Sequence, residues 1–184
     1  TGEFRHYPLT RNWHAGGILS ASLAPLAGDA ALEARAVAHA RTLAEHLDYV
    51  GVFALELFVH GERLLGNEMA PRVHNSGHWT IEGTGCSQFE NHVRAILGLP
   101  LGDTAAIGTS VMLNWIGELP DAEAVLREPR AHWHDYGKSP RAGRKVGHAT
   151  LCGDDPRELA DRLERIGAAL GVSPQVAQPV SALR

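Results

Sequence analysis

Two acidic residues stand alone in apolar surroundings. Glu56 is the only charge in Val52-Phe53-Ala54-Leu55-Glu56-Leu57-Phe58-Val59, and Glu68 is the only acid in Leu64-Leu65-Gly66-Asn67-Glu68-Met69-Ala70. If the two runs form a hairpin centred on Glu62, positions 56 and 68 are cross-strand partners, each six residues from the centre. Opposed residues on one sheet face have Cβ atoms roughly 4.5–5.5 Å apart, and two carboxylates that close repel. A bound cation reverses the sign of that effect, and two carboxylates leaving positions open for phosphate oxygens suit Mg²⁺. Either glutamate alone reads as a solvent-facing residue on a half-exposed strand. The opposed pair favours a metal.

Immediately downstream lies Pro71-Arg72-Val73-His74-Asn75-Ser76-Gly77-His78-Trp79-Thr80-Ile81-Glu82. Arg72 can grip a carboxylate or phosphate in bidentate fashion, and His74 can move a proton near neutral pH. Asn75, Ser76 and the amides around Gly77 can cradle an oxyanion. Beside a metal pair, this is equipment for phosphoryl transfer to an oxyanion. By itself the loop reads equally well as a polar surface segment. Lys138, Arg141, Arg144 and Lys145 form a basic cluster before a strand, ordinarily a solvated loop. His132 and His134 share a strand face, but no further ligand stands at zinc-like spacing, so a strand-edge pair is the ordinary reading.

The elements that must position these groups alternate between strand and helix. Glu3–Leu9 and Gly17–Ala24 read as strands with Arg11–Gly16 as the loop between them. Asp29–His46 reads as an Ala-rich amphipathic helix with Leu32, Ala36, Leu43 and Leu47 near one face and His39 and His46 on the surface. Gly51–Val59 and Arg63–Met69 are strands joined by a turn at His60-Gly61-Glu62, and Pro71–Thr80 is a polar loop. Ser87-Gln88-Phe89-Glu90 is a capping box, opening a helix that carries Phe89, Val93, Ile96 and Leu97 and stops at Gly98-Leu99-Pro100. Strands follow near 109–116, 131–136 and 145–152. Asp155-Pro156 starts a helix to about Leu170, and Gly171–Arg184 reads as a loose tail.

Composition narrows the function classes. The net charge of −4 leaves no basic footprint for nucleic acid, and no apolar run approaches the roughly 18–20 residues that span a bilayer. The two cysteines, Cys86 and Cys152, are far apart and read as core fillers, in keeping with a reducing, cytoplasmic compartment. Thr1–Leu9 carries no initiator Met or capping sequence, so the chain is expected to begin inside a longer protein.

Three runs resemble one family. They are Gly51–Phe58, Asn67–Glu82 and Ser87-Gln88-Phe89-Glu90-Asn91-His92, supported by Tyr136-Gly137-Lys138, Arg144-Lys145-Val146-Gly147-His148, Tyr7-Pro8-Leu9 and Asn12 with His14. Together they resemble the 5-(carboxyamino)imidazole ribonucleotide synthases, ATP-grasp ligases of purine biosynthesis, over the chain up to about Gly171. The resemblance implies an α+β fold: the C-terminal subdomain of an ATP-grasp domain over residues 1–102, then a small β-rich domain with a terminal helix over 103–184. It implies that ATP phosphorylates bicarbonate to carboxyphosphate, which carboxylates 5-aminoimidazole ribonucleotide in a cytoplasmic homodimer. On the matching positions, Glu56 and Glu68 would hold Mg²⁺, and His14, Asn67 and Glu68 would line the ATP site. Arg72 and His74 would act on bicarbonate or carboxyphosphate. Asn75 and Ser76 would add contacts to the same substrate region, and Lys138 and Arg144 would bind the ribonucleotide and its phosphate.

The chain departs from the superfamily pattern at Ala70, where many members carry a ligating Asn, so only two protein ligands are expected. No Gly-rich loop with a Lys precedes a helix, so the chain alone is expected to be inactive. Two other readings stay open: another ATP-grasp carboxylate-amine ligase, against which the Arg72–His78 run argues, and a non-catalytic nucleotide-binding or assembly module, against which the retained Glu56, Glu68, Arg72 and Lys138 argue.

Overall fold

The computed structural model describes residues 2–184. In chain order the elements are β1 (Arg11–Ala15), β2 (Ile18–Ala24), α1 (Ala30–His46), β3 (Ala54–His60), β4 (Arg63–Ala70), a 3-10 turn at Asn75–Gly77, α2 (Thr80–Gly83), α3 (Gln88–Ile96), β5 (Thr109–Ile116), α4 (Ala122–Leu126), β6 (Ala131–Asp135), β7 (Lys145–Gly153), α5 (Pro156–Leu170) and α6 (Ser173–Leu183). They divide into two compact units. One comprises the chain up to Leu9 with Leu26–Ala106, and the other comprises Thr10–Pro25 with Ile107–Arg184. The division departs from the expected boundary after residue 102 by moving the β1–β2 hairpin into the second unit, where β2 pairs with β5.

In the first unit, α1 begins where its sequence says. Asp29 Oδ1 accepts from the Leu32 amide at 2.7 Å, and Glu33 places an anion on the positive end of the helix dipole. Leu32 and Ala36 are buried, but Leu47 is exposed, so the inward stripe is narrower than the periodicity implied. His39 and His46 lie on the surface. β3 and β4 form a separate two-stranded antiparallel sheet. The capping box of α3 forms, with Ser87 Oγ accepting from the Glu90 amide at 3.2 Å. Its buried residues are Gln88 and Asn91, while Phe89, Val93, Ile96 and Leu97 are exposed.

The second unit is an antiparallel sheet of order β1-β2-β5-β7-β6. β5 and β7 are interior strands and are buried along nearly their whole length. Val111, Leu113, Val146 and Leu151 from the sheet meet Leu159, Leu163 and Ile166 from α5 and Val176, Val180 and Leu183 from α6 in one core. Asp155 caps α5 by accepting from the Arg157 amide at 2.8 Å, and Gly171 ends it in the left-handed conformation, φ 69°.

Three expectations are corrected. Residues 3–9 form no strand, because no neighbouring strand supplies their hydrogen bonds; Thr1 lies outside the described residues. Arg11–Ala15, expected as a loop, is strand β1, paired to β2 and tied by a 2.8 Å hydrogen bond from Ser22 Oγ to Asn12 Oδ1. Gly171–Arg184, expected as a loose tail, contains α6. Gln175 Nε2 anchors that helix by donating to Ser20 O and Asn114 O, both at 2.9 Å. The tail is ordered because its apolar residues reach the core.

Candidate active site

The β3–β4 hairpin brings Glu56 and Glu68 together, by a route the symmetric count about Glu62 does not contain. Near the turn, His60 pairs with Arg63, and the register continues to Leu57 with Gly66. Unbroken, it would set Glu56 against Asn67 and turn Glu68 to the other face. The register shifts between Glu56 and Leu57, and Glu56 pairs with Glu68. The extra residue is Asn67, and a bulge of this kind re-aims the side chains that follow it. Asn67 Nδ2 donates to Glu56 Oε2 at 3.2 Å. Glu56 is largely covered, with its side chain 13% exposed, whereas Glu68 is 55% exposed.

His74 joins the pair. Its Nε2 lies 3.4 Å from Glu68 Oε1 and its Nδ1 lies 3.9 Å from Glu56 Oε1, with Ser76 Oγ 2.9 Å from the same Nδ1. One ligand-type atom from each of Glu56, Glu68 and His74 falls within 4.8 Å of the others, the one such group of three among the described residues. The expectation of two protein ligands thus acquires a third candidate, supplied by the loop rather than by Ala70. Two carboxylates make a hard donor set that fits Mg²⁺.

The loop that carries His74 is held from α3 by Gln88. Gln88 Oε1 accepts from the His74 amide at 2.9 Å, while its Nε2 donates to His74 O at 2.7 Å and meets His78 Nδ1 at 2.8 Å. This residue was missed from sequence because the capping box accounts for Ser87 and Glu90. The available signal was a glutamine at the first helical position with no capping task.

The other expected residues are distributed unevenly. Arg72 is exposed, and its Nη1 donates to Val73 O at 3.0 Å. Asn75 Oδ1 is buried without a hydrogen-bond partner. His14, Lys138 and Arg144 belong to the second unit. His14 is exposed next to the irregularity in β1. Lys138 helps line an open cleft of about 510 Å³ together with Glu118, Asp135, Gly137 and Ser139. Arg144 Nη1 donates to Ser139 O at 3.4 Å, and its carbonyl accepts from the Gly117 amide at 2.7 Å. Arg141 and Lys145 differ: Arg141 is exposed, and Lys145 Nζ stands 5.3 Å from the Tyr136 ring centroid, close to the 5.1 Å of Lys138 Nζ. Tyr136 is oriented by buried His148, whose Nδ1 is 2.6 Å from the phenol oxygen, and burial pushes the phenol pKa up to about 12. His134, on edge strand β6, stacks on His148 at 4.2 Å rather than joining His132 in a metal pair.

Residues 1–89 match the ATP-grasp domain model, and residues 110–162 match the phosphoribosylaminoimidazole carboxylase C-terminal domain. The two matches fall on successive parts of the chain, the first on its ATP-grasp-like portion. The chain is 50% identical over 169 residues to the N5-carboxyaminoimidazole ribonucleotide synthase of Pseudomonas aeruginosa, covering 92% of this chain and 46% of the relative. The corresponding Thermus thermophilus synthetase structure superposes with a TM-score of 0.86 at 59% identity, over 88% of this chain and 45% of that one. An Aspergillus clavatus N5-carboxyaminoimidazole synthase, solved with ADP and 5-aminoimidazole ribonucleotide, gives 0.83 at 34% identity over 90% and 47%. The resemblance to the 5-(carboxyamino)imidazole ribonucleotide synthases is borne out, and the α+β class with it. The chain corresponds to the C-terminal portion of these synthases and spans about half the length of the curated relatives it matches. No helix among the described residues is long and apolar enough to cross a membrane.

Proposed function

We propose that this chain serves the ATP-dependent carboxylation of 5-aminoimidazole ribonucleotide by bicarbonate, as the C-terminal part of a cytoplasmic, homodimeric synthase. The observation that carries the reading is the Glu56–Glu68 pair with His74 between the two carboxylates. A bicarbonate oxygen attacks the γ-phosphorus of ATP, ADP leaves, and carboxyphosphate forms. The exocyclic amine then attacks the carboxyl carbon, phosphate leaves, and the amine loses a proton.

Each residue has a task in this reading. Glu56 and Glu68 would hold Mg²⁺, which would supply positive charge for phosphoryl transfer. Asn67 and Glu68 border ATP, and His14 touches the nucleotide. Arg72 clamps bicarbonate and then carboxyphosphate through paired N–H donors. His74 exchanges a proton at the same centre, with Ser76 fixing its ring. Asn75, with its buried unpartnered Oδ1, and Ser76 add contacts to the same substrate region, while Lys138 and Arg144 take the ribonucleotide and its phosphate.

The test joins this chain to the N-terminal part of the Pseudomonas aeruginosa relative. Purified chimera should release phosphate from ATP only when bicarbonate and 5-aminoimidazole ribonucleotide are both present, and should sediment as a dimer. Turnover with formate in place of bicarbonate would assign another ligase activity. A folded, nucleotide-binding chimera without turnover would favour the non-catalytic module.

A further inference from the structure

We propose that Gln88 is a positioning residue for the carboxyl-donor site, holding the His74 imidazole in place by clamping its main chain. The inference rests on the reading of that site given above.

Gln88 is 3% exposed, and its planar amide uses every group it has. Oε1 takes the His74 N–H, while the two Nε2 protons go to His74 O and His78 Nδ1. One rigid group thus binds both main-chain groups of a single residue, as a neighbouring strand would. His74 therefore cannot slide along the loop without losing both bonds. The anchor is itself fixed. The Gln88 amide, one of the orphan donors at the start of α3, is satisfied by Thr80 Oγ1 at 3.0 Å, and that hydroxyl donates to Gly77 O at 2.6 Å.

Gly77 completes the fit from the loop side. A Cβ there would stand 2.7 Å from Gln88 Oε1, and the residue has no positive φ that would otherwise demand glycine. The glycine is explained by the approach of the amide. What the clamp sets is the reach of the ring: 3.4 Å to Glu68, 3.9 Å to Glu56 and 2.9 Å to Ser76. A displacement near 1 Å at such a site costs about 100-fold in rate.

The test uses the catalytically active chimera, so absent activity in the unmodified protein refutes the functional reading and not the clamp. Gln88→Met keeps the volume and removes the hydrogen bonds. Gly77→Ala leaves the glutamine intact and displaces it sterically, which covers the case in which Gln88→Met fails to fold. Each variant should lose about 100-fold in kcat/KM for bicarbonate while KM for ATP stays within about 2-fold. The His74 amide should exchange with deuterium faster in both, with thermal unfolding still cooperative. Gly77→Ala combined with Gln88→Ala should be no worse than Gln88→Ala, because the clash is gone and the clamp is already lost. Unchanged bicarbonate kinetics in the folded variants, or parallel losses for ATP and bicarbonate, would overturn the proposal.

Discussion

Glu56 faces Glu68 across the β3–β4 hairpin because Asn67 bulges out of the ladder between them. The same residue that shifts the register also donates to Glu56 Oε2 at 3.2 Å. Its insertion thus both aligns the carboxylates and takes up one lone pair, leaving Glu56 Oε1 and the Glu68 carboxylate facing His74.

Glu68→Gln should separate stability from function. Directly opposed like charges destabilise a strand pair by roughly 0.2–1 kcal/mol, so the variant's thermal midpoint without divalent cation should be equal or higher. Mn²⁺ affinity, read by titration of the chimera, should fall by at least about 10-fold. A loss of stability with unaltered Mn²⁺ affinity would count against a metal role for the pair.

Glu128 and Arg162 test the second unit. Arg162 is 3% exposed, donates to Cys152 O at 3.0 Å and to Pro129 O, and lies 3.6 Å from Glu128. Arg165 forks onto Glu128 at 2.8 and 2.7 Å. Those hydrogen bonds hold the Glu128 carboxyl below the usual range, against the opposing effect of burial. A depressed carboxyl pKa adds stability at neutral pH that is lost as pH falls through and below the ordinary carboxylate range. Glu128→Gln should cost about 2–4 kcal/mol at neutral pH, the lower part reflecting the carbonyl partners Arg162 keeps. Urea unfolding should also show a shallower acid limb for this variant.

The tyrosines set the alkaline limb. Burial raises both Tyr7 and Tyr136 to about 12, above the ~10 of an unfolded chain. The folded state keeps its phenol protons when the unfolded state has lost them. Stability is therefore full below about pH 10 and falls between about 10 and 12. Phenolate absorbance should rise late in the native protein and at normal pH in urea. Tyr136→Phe should reduce the alkaline loss.

Gly167→Ala opposes propensity to packing. Alanine is favoured over glycine inside a helix by about 1 kcal/mol. Here the new Cβ would stand 2.6 Å from Val176 Cγ2 and 3.3 Å from Ser173 Cα, and overpacking costs about 1–3 kcal/mol. The second term should win, with a net loss of roughly 1 kcal/mol in urea unfolding. A gain would mean that α6 yields easily.

Local chemistry was legible in the residues themselves. Asp29, Ser87 and Asp155 mark helix starts because a short polar side chain before a helix takes an orphan amide. The hairpin and the chemical character of Arg72–His78 follow from alternation and residue type over a few positions. The sequence by itself also carried the likeness to the synthases, through long, distinctive runs of side chains.

Tertiary structure decided what depends on partners far along the chain. Arg11–Ala15 is a strand because β2 pairs with it, and α6 exists because Val176, Val180 and Leu183 enter a core built by other elements. The Asn67 bulge turns on a one-residue register difference that a symmetric count about the turn cannot resolve. Gln88 became visible only when α3 was set against the loop it holds. A side chain that bonds main-chain groups fourteen residues away leaves no periodic trace in its own neighbourhood. Glu56 and Glu68 were therefore foreseeable as a pair, but the bulge that aligns them and the clamp that places His74 between them came from packing.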